Sequence, residues 1–207
     1  MKSLMNLPAL FWSIVIVTLV FSILFNPVVF AKESSEDDDS GLMIYEGFGG
    51  NFTLTSHHGT PVSLDDYRGK VVLIFFGYTH CPDVCPATMS YLGRLVNKLD
   101  QGAEHVQTMF ISVDPERDAP EQLKNYVTSF HPSFLGLTGT SEEILRVAKQ
   151  FRVAYIRQEV KNVAGYFYAH TDYIYLVDTK GRVRALYRTD SNTMREMVAD
   201  IKKLTPH

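Results

Sequence analysis

The 207-residue sequence predicts an α/β fold: a central, partly parallel mixed sheet flanked by helices on both faces. Three observations carry this. Two continuous apolar runs, KVVLIFF (70–76) and VQTMFISV (106–113), have the composition of strands buried on both faces. Each is followed by a segment of helical spacing, the order of parallel strands joined by crossovers. Two further apolar runs on either side of Asp178-Thr179-Lys180-Gly181 read as a hairpin that adds antiparallel strands to the same sheet.

The elements follow in order. Residues 52–64 alternate apolar and polar side chains around a Gly-containing centre, an N-terminal β-hairpin. Strand 70–76 runs into a turn at Gly77. Met89, Leu92, Leu95, Val96 and Leu99 then recur at helical spacing over 86–99. Strand 106–113 leads to a helix over 119–130, with Pro120 near its start. Thr140 and Glu143 have the form of a capping box for a helix that runs to about Phe151. Strands at 173–177 and 183–187 and an amphipathic helix at 193–204 close the chain. Residues 152–171 fit poorly. They exceed an ordinary connection, so they read as a functional loop with a short strand near 154–159.

Ahead of this domain, LPALFWSIVIVTLVFSILFNPVVFA carries no charge between Lys2 and Lys32 and is long enough to span a bilayer. Residues 1–31 are therefore a transmembrane anchor or a signal sequence. Small residues near Ala31 suit cleavage, while the length of the run favours an anchor. Either way the remainder faces away from the cytoplasm. Residues 32–48 begin acidic and serine-rich and read as a flexible tether, leaving 49–207 as the folded domain. Twenty basic against 23 acidic residues give a net charge of -3, which argues against a nucleic-acid partner.

The only two cysteines, Cys81 and Cys85, share the stretch GYTHCPDVCPATM between a buried strand and a helix start. That place favours thiolate and reactive groups. Three readings of the pair compete. A disulfide staple closes so short a loop that it contributes only ~2 kcal/mol. A redox pair resembles thiol–disulfide oxidoreductases, but the spacing is C-x-x-x-C, and no proline between Pro132 and Pro206 is available for the late cis-proline of thioredoxins. A peroxidase would want threonine three residues before the cysteine, and neither has one. The third reading is a soft metal site, which needs another ligand.

Among the histidines, His57 and His58 fall in the first hairpin's turn and read as solvated. His105 and His131 read as surface residues, and His207 is terminal. His80 adjoins Cys81, but adjacent side chains generally point different ways. His170 stands at the end of the long loop, just before a central strand, which leaves surface and ligand readings equally open. With it the set becomes Cys2His, suited to copper, whereas closed zinc sites normally take four ligands.

Three blocks, FGYTHCPDVCP (76–86), ISVDPERDAPEQL (111–123) and YAHTDYIYLVD (168–178), resemble the SCO/SenC family of copper-binding, thioredoxin-like proteins. The resemblance covers roughly 52–201 and keeps the blocks in family order. It implies a thioredoxin-like fold held at a membrane, facing the periplasm of a bacterium or, less in keeping with this chain, the mitochondrial intermembrane space. It implies one copper on Cys81, Cys85 and His170. It also implies service to the CuA centre of cytochrome c oxidase subunit II, by delivering copper or, alternatively, by keeping target cysteines reduced as a thiol-disulfide reductase. Other copper chaperones and thiol–disulfide reductants are implied as further partners. A carrier of this kind needs no catalytic turnover, and oxidation of the pair to a disulfide would release copper. Asp83 matches a family aspartate that supports the loop or meets a partner. Asp114 and Asp118 match positions that are structural or partner-facing. The family commonly has aspartate before the histidine, where this chain has Ala169; Asp172 is the expected substitute as a support for the imidazole.

Overall fold

A computed structural model of the chain describes residues 40–159, 165–189 and 193–205. The anchor or signal of 1–31 lies outside the described residues, as does the tether up to residue 39. Among the described residues no helix is long and apolar enough to cross a membrane.

The chain runs through β1 (Thr53–Ser56), β2 (Pro61–Ser63), β3 (Val71–Gly77), α1 (Val84–Lys98), β4 (Val106–Ser112), α2 (Pro120–Phe130), β5 (Leu135–Thr138), α3 (Ser141–Gln150), β6 (Tyr155–Glu159), β7 (Tyr166–His170), β8 (Ile174–Val177), β9 (Val183–Tyr187) and α4 (Thr193–Leu204). Seven strands form one mixed sheet in the order β2-β1-β5-β4-β3-β8-β9. β3, β4 and β5 are parallel neighbours, and the other pairings are antiparallel. Every residue of β3 is buried, as its unbroken apolar run requires. Its alternate side chains meet different layers. Phe75 reaches Phe110, which meets Tyr126 of α2, while Phe76 meets Phe151 at the end of α3. Helices therefore cover both faces, as expected. The capping box of α3 is closed: the Glu143 N–H donates to the Thr140 hydroxyl at 3.2 Å, and the Thr140 N–H to the Glu143 carboxylate at 2.8 Å.

Two strands escaped the sequence reading. β5 is only four residues long and contains Gly136, which leaves no period to see. A Cβ at 136 would stand 3.1 Å from the Leu123 Cβ, so the glycine lets α2 lie close to the sheet. β7 lies inside what read as a loop. The segment 152–171 holds a separate two-stranded hairpin, β6–β7, whose first strand matches the short one expected near 154–159. β7 hid because aromatic side chains occupy both of its faces, Tyr166 and Tyr168 on one and Phe167 on the other.

Residues 40–49 are fastened to the domain. Buried Arg184 donates to the Leu42 and Met43 carbonyls, the Ser40 hydroxyl and the Asp178 carboxylate. The Tyr45 N–H donates to the Val183 carbonyl.

Candidate metal centre

The topology brings three distant segments to one end of the sheet. Parallel β3 and β4 finish side by side, with Gly77 opposite Ser112 and the Val113 N–H donating to the Gly77 carbonyl at 2.8 Å. The cysteine loop and residues 113–119 leave from that edge. β8 runs antiparallel to β3, with Ile174 opposite Phe75, so the chain enters β8 at the same edge. His170, at the end of β7, is thereby set against the cysteines.

The Sγ of Cys81, the Sγ of Cys85 and a ring nitrogen of His170 lie within 4.8 Å of one another. Cys85 Sγ is 3.3 Å from His170 Nε2. Both cysteines are free thiols; Cys85 is buried and Cys81 partly so. They do not share a helical turn, as a helix beginning near Cys81 would require. α1 starts at Val84, and Cys81 stands in the bend before it, its N–H donating to the Tyr78 carbonyl. Asp83 occupies the N-cap position, exposed, with no capping bond from its side chain.

The His170 ring packs edge-on against Phe75 and Tyr78, with centroids 6.2 and 5.9 Å away. Its Nδ1 is 2.9 Å from the Thr171 carbonyl. A carbonyl only accepts, so Nδ1 carries a proton; in the neutral ring Nε2 is then the lone-pair nitrogen, and it is the one that faces the sulfurs. The imidazole support expected from Asp172 is thus supplied by backbone. Asp172 instead pairs with Arg188 at 3.3 Å. Ala169 pairs with Ile156 on the outward face of the hairpin, so a carboxylate there would point away from the ring.

The two thiols are driven apart in acidity. A hydrogen bond from Cys85 is the largest influence on Cys81. With further bonds from His170 and the backbone N–H groups of Asp83 and Cys85, it outweighs burial and brings Cys81 down to about 3. Cys85, which donates to Cys81 and is deeply buried, is pushed strongly upward and stays a thiol. Burial pulls His170 down, but its hydrogen bonds to Cys81 and the Thr171 carbonyl, with the Cys81 charge, leave it raised. In the metal-free site the thiolate is therefore the outer sulfur, Cys81, and the inner one keeps its proton.

Asp114 and Asp118 are fully buried, which removes the partner-facing reading. Asp118 accepts from the Thr79 N–H (2.9 Å), the Thr79 hydroxyl (2.7 Å) and the Ser112 hydroxyl (2.6 Å), and so fixes the loop two residues before Cys81. Asp114 accepts from Arg117 Nε and from the Tyr166 hydroxyl at 2.9 Å. His80 bonds the Thr79 hydroxyl and lies outside the cluster. His105 lies beside Glu104, and His131 bonds Ser133. His58 is exposed, but His57 is buried, against expectation: its Nδ1 accepts the Gly136 N–H at 3.0 Å, which ties the first hairpin to β5. His207 lies outside the described residues. Tyr78, Arg117 and Tyr166 were not singled out from sequence, although Tyr78 and Arg117 fall inside the quoted blocks.

Gly77 is required by closeness. A Cβ there would stand 2.8 Å from the Cys85 sulfur and 2.9 Å from the Phe110 ring. Gly77→Ala is expected to cost ~1–3 kcal/mol through overpacking and to displace that sulfur. A denaturant midpoint unchanged from the parent would refute the close contact.

A protein-family profile described as SCO1/SenC matches residues 45–206. The chain is similar to Bradyrhizobium japonicum ScoI, solved with copper bound: 41% identity, TM-score 0.70, covering 76% of this chain and 99% of that one. It is 42% identical over 135 residues to the human mitochondrial SCO1 homolog, covering 64% of this chain and 45% of the human protein. It thus spans about half of that relative's length. BsSco, described as a member of the Sco family of cytochrome c oxidase assembly proteins and as having a disulfide switch, is similar at 28% identity and TM-score 0.62, covering 79% of this chain and 95% of BsSco. The mixed sheet and its helices match these thioredoxin-like structures. With a family profile matched over most of its length, the chain belongs to the SCO1/SenC family.

Proposed function

We propose that this chain carries copper on Cys81, Cys85 and His170 and serves maturation of the CuA centre in cytochrome c oxidase subunit II. The observation that supports it best is the convergence of two sulfurs and one imidazole nitrogen within 4.8 Å. That donor set is soft and fits copper. Among the described residues no fourth His, Cys, Asp or Glu joins the cluster, and a closed zinc site would normally take one. Related structures carry copper.

Copper is cargo in this reading, and each ligand has its own task. The Cys81 thiolate is the outer group and meets the incoming ion. Cys85 must surrender its proton to bind. His170 already aims Nε2 inward. A partner's thiolates would displace the ligands one at a time, from Cys81 inward. Residues 1–31 hold the chain at the bacterial inner membrane or are removed as a signal, and 49–207 face the periplasm. Of the stretch 32–48 read as a tether, only the part before residue 40 is left to that role, because residues 40–48 are fastened to the domain.

A second reading rests on the unlike thiols. Cys81 thiolate attacks a target disulfide and releases one target thiolate. Cys85, once deprotonated, then attacks Cys81 and releases the second, leaving a Cys81–Cys85 disulfide. One experiment separates the two readings. In a copper titration of the reduced domain, His170→Ala is expected to weaken binding of one copper per chain by ~100-fold, on the scale of disturbed metal ligation. Unchanged affinity alongside high dithiol activity would favour the reductase.

A further inference from the structure

We propose that Arg117 and Tyr166 are positioning residues: they brace the hairpin that carries His170 and so set the distance between imidazole and sulfurs. The proposal rests on the copper reading above. Among the described residues the β6–β7 hairpin is a separate two-stranded sheet with no ladder to the central one. Such a pair has little stability of its own, so side chains must hold it in place. The hydrogen bonds at its base, Thr171 N–H to the Ala154 carbonyl and Ala154 N–H to the Thr171 hydroxyl, close the hairpin without attaching it.

Residues 113–119 supply the attachment. The Arg117 guanidinium lies 3.7 Å over the Tyr166 ring, and its Nη1 donates to the Tyr166 carbonyl at 3.1 Å. Its Nε donates to buried Asp114, which also accepts the Tyr166 hydroxyl at 2.9 Å. Arg157 of β6 lies 3.6 Å from the same ring and pairs with Glu116 at 3.1 Å, so the tyrosine is held by two guanidiniums. Arg117 Nη2 is buried with no hydrogen bond among the described residues, which leaves that one nitrogen to the ring contacts. Tyr166 and His170 fall on the same side of β7. A second tie comes from Tyr78, whose ring meets Tyr168 at 5.7 Å.

The same short segment therefore has two arms. Asp118 grips Thr79, next to the cysteines, and Asp114 with Arg117 grips Tyr166, on the histidine's strand. Neither arm touches the donor atoms, yet together they fix how far apart the two halves of the site stand.

A double-mutant cycle tests this, with Cu(I) affinity read by chelator competition in the parent, Tyr166→Ala, His170→Ala and the double variant. Tyr166→Ala is expected to weaken binding about tenfold, and His170→Ala on that background to cost about tenfold less than in the parent. In the metal-free protein, β6 and β7 amides should exchange about tenfold faster while β3 and β4 amides keep their rates. Tyr166→Phe keeps the ring between the guanidiniums and should recover both readouts to within about threefold. Arg117→Lys keeps the charge beside Asp114 but not the planar stack, and should shift both readouts in the direction of Tyr166→Ala. Equal His170→Ala costs with and without Tyr166, or unchanged exchange in β6–β7, would overturn the brace and leave the copper reading standing. A parent indifferent to His170→Ala would overturn the copper reading, and this proposal with it.

Discussion

Cys85→Ser is expected to leave a folded protein whose hold on Cu(I) is weaker by about a thousandfold, or ~4 kcal/mol. Three causes act together. Serine is a hard oxygen donor in a site built for a soft ion, and its hydroxyl does not deprotonate near neutral pH. The replaced sulfur also stands 3.3 Å from His170 Nε2, so it belongs to both halves of the site. The fold tolerates the change because the hydroxyl is slightly smaller and can hydrogen-bond the same neighbours. Chelator competition gives the affinity, and thermal unfolding of the metal-free variant confirms the fold. A loss below tenfold would remove Cys85 from the ligand set.

Asp118→Ala is expected to cost ~3 kcal/mol, as charge-assisted bonds to a buried carboxylate are lost. The substitution strands the part-buried Thr79 N–H and the buried Ser112 hydroxyl, and takes one partner from the Thr79 hydroxyl. For a domain of this size that is a drop of about 9 °C in Tm. Asp118→Asn, which keeps an acceptor oxygen, should lose about half as much. A thermal melt within 2 °C of the parent, on the scale of a surface change, would mean that the carboxylate does not hold the loop. Because Thr79 sits two residues before Cys81, the Ala variant should also bind copper less well than its stability alone explains.

Much of the frame was legible because its signals are local. An unbroken run such as VVLIFF admits few structures, and Thr140 with Glu143 names a helix start within four residues. The cysteine pair announced itself by spacing and place. His170 was harder: nothing in its neighbours marks it, and only its position before a central strand and the family blocks singled it out. What stayed hidden was non-local. Arg117 and Tyr166 meet across 49 residues. Asp114 and Asp118 leave structural and partner-facing readings open in sequence, since buried carboxylates are rare and become intelligible only with their donors in view. His57 looked solvated because its partner, the Gly136 N–H, lies 79 residues away. Asp172 looked like the imidazole's support, but Arg188 claims it.

The bond from His170 Nδ1 to the Thr171 carbonyl has an evolutionary consequence. A main-chain oxygen is present whatever side chain occupies the position, so no point substitution deletes it. The tautomer that exposes Nε2 is therefore robust to sequence drift at 169 and 172. Those two positions are released to diverge, and a lineage can carry alanine before its histidine without losing the ring's orientation.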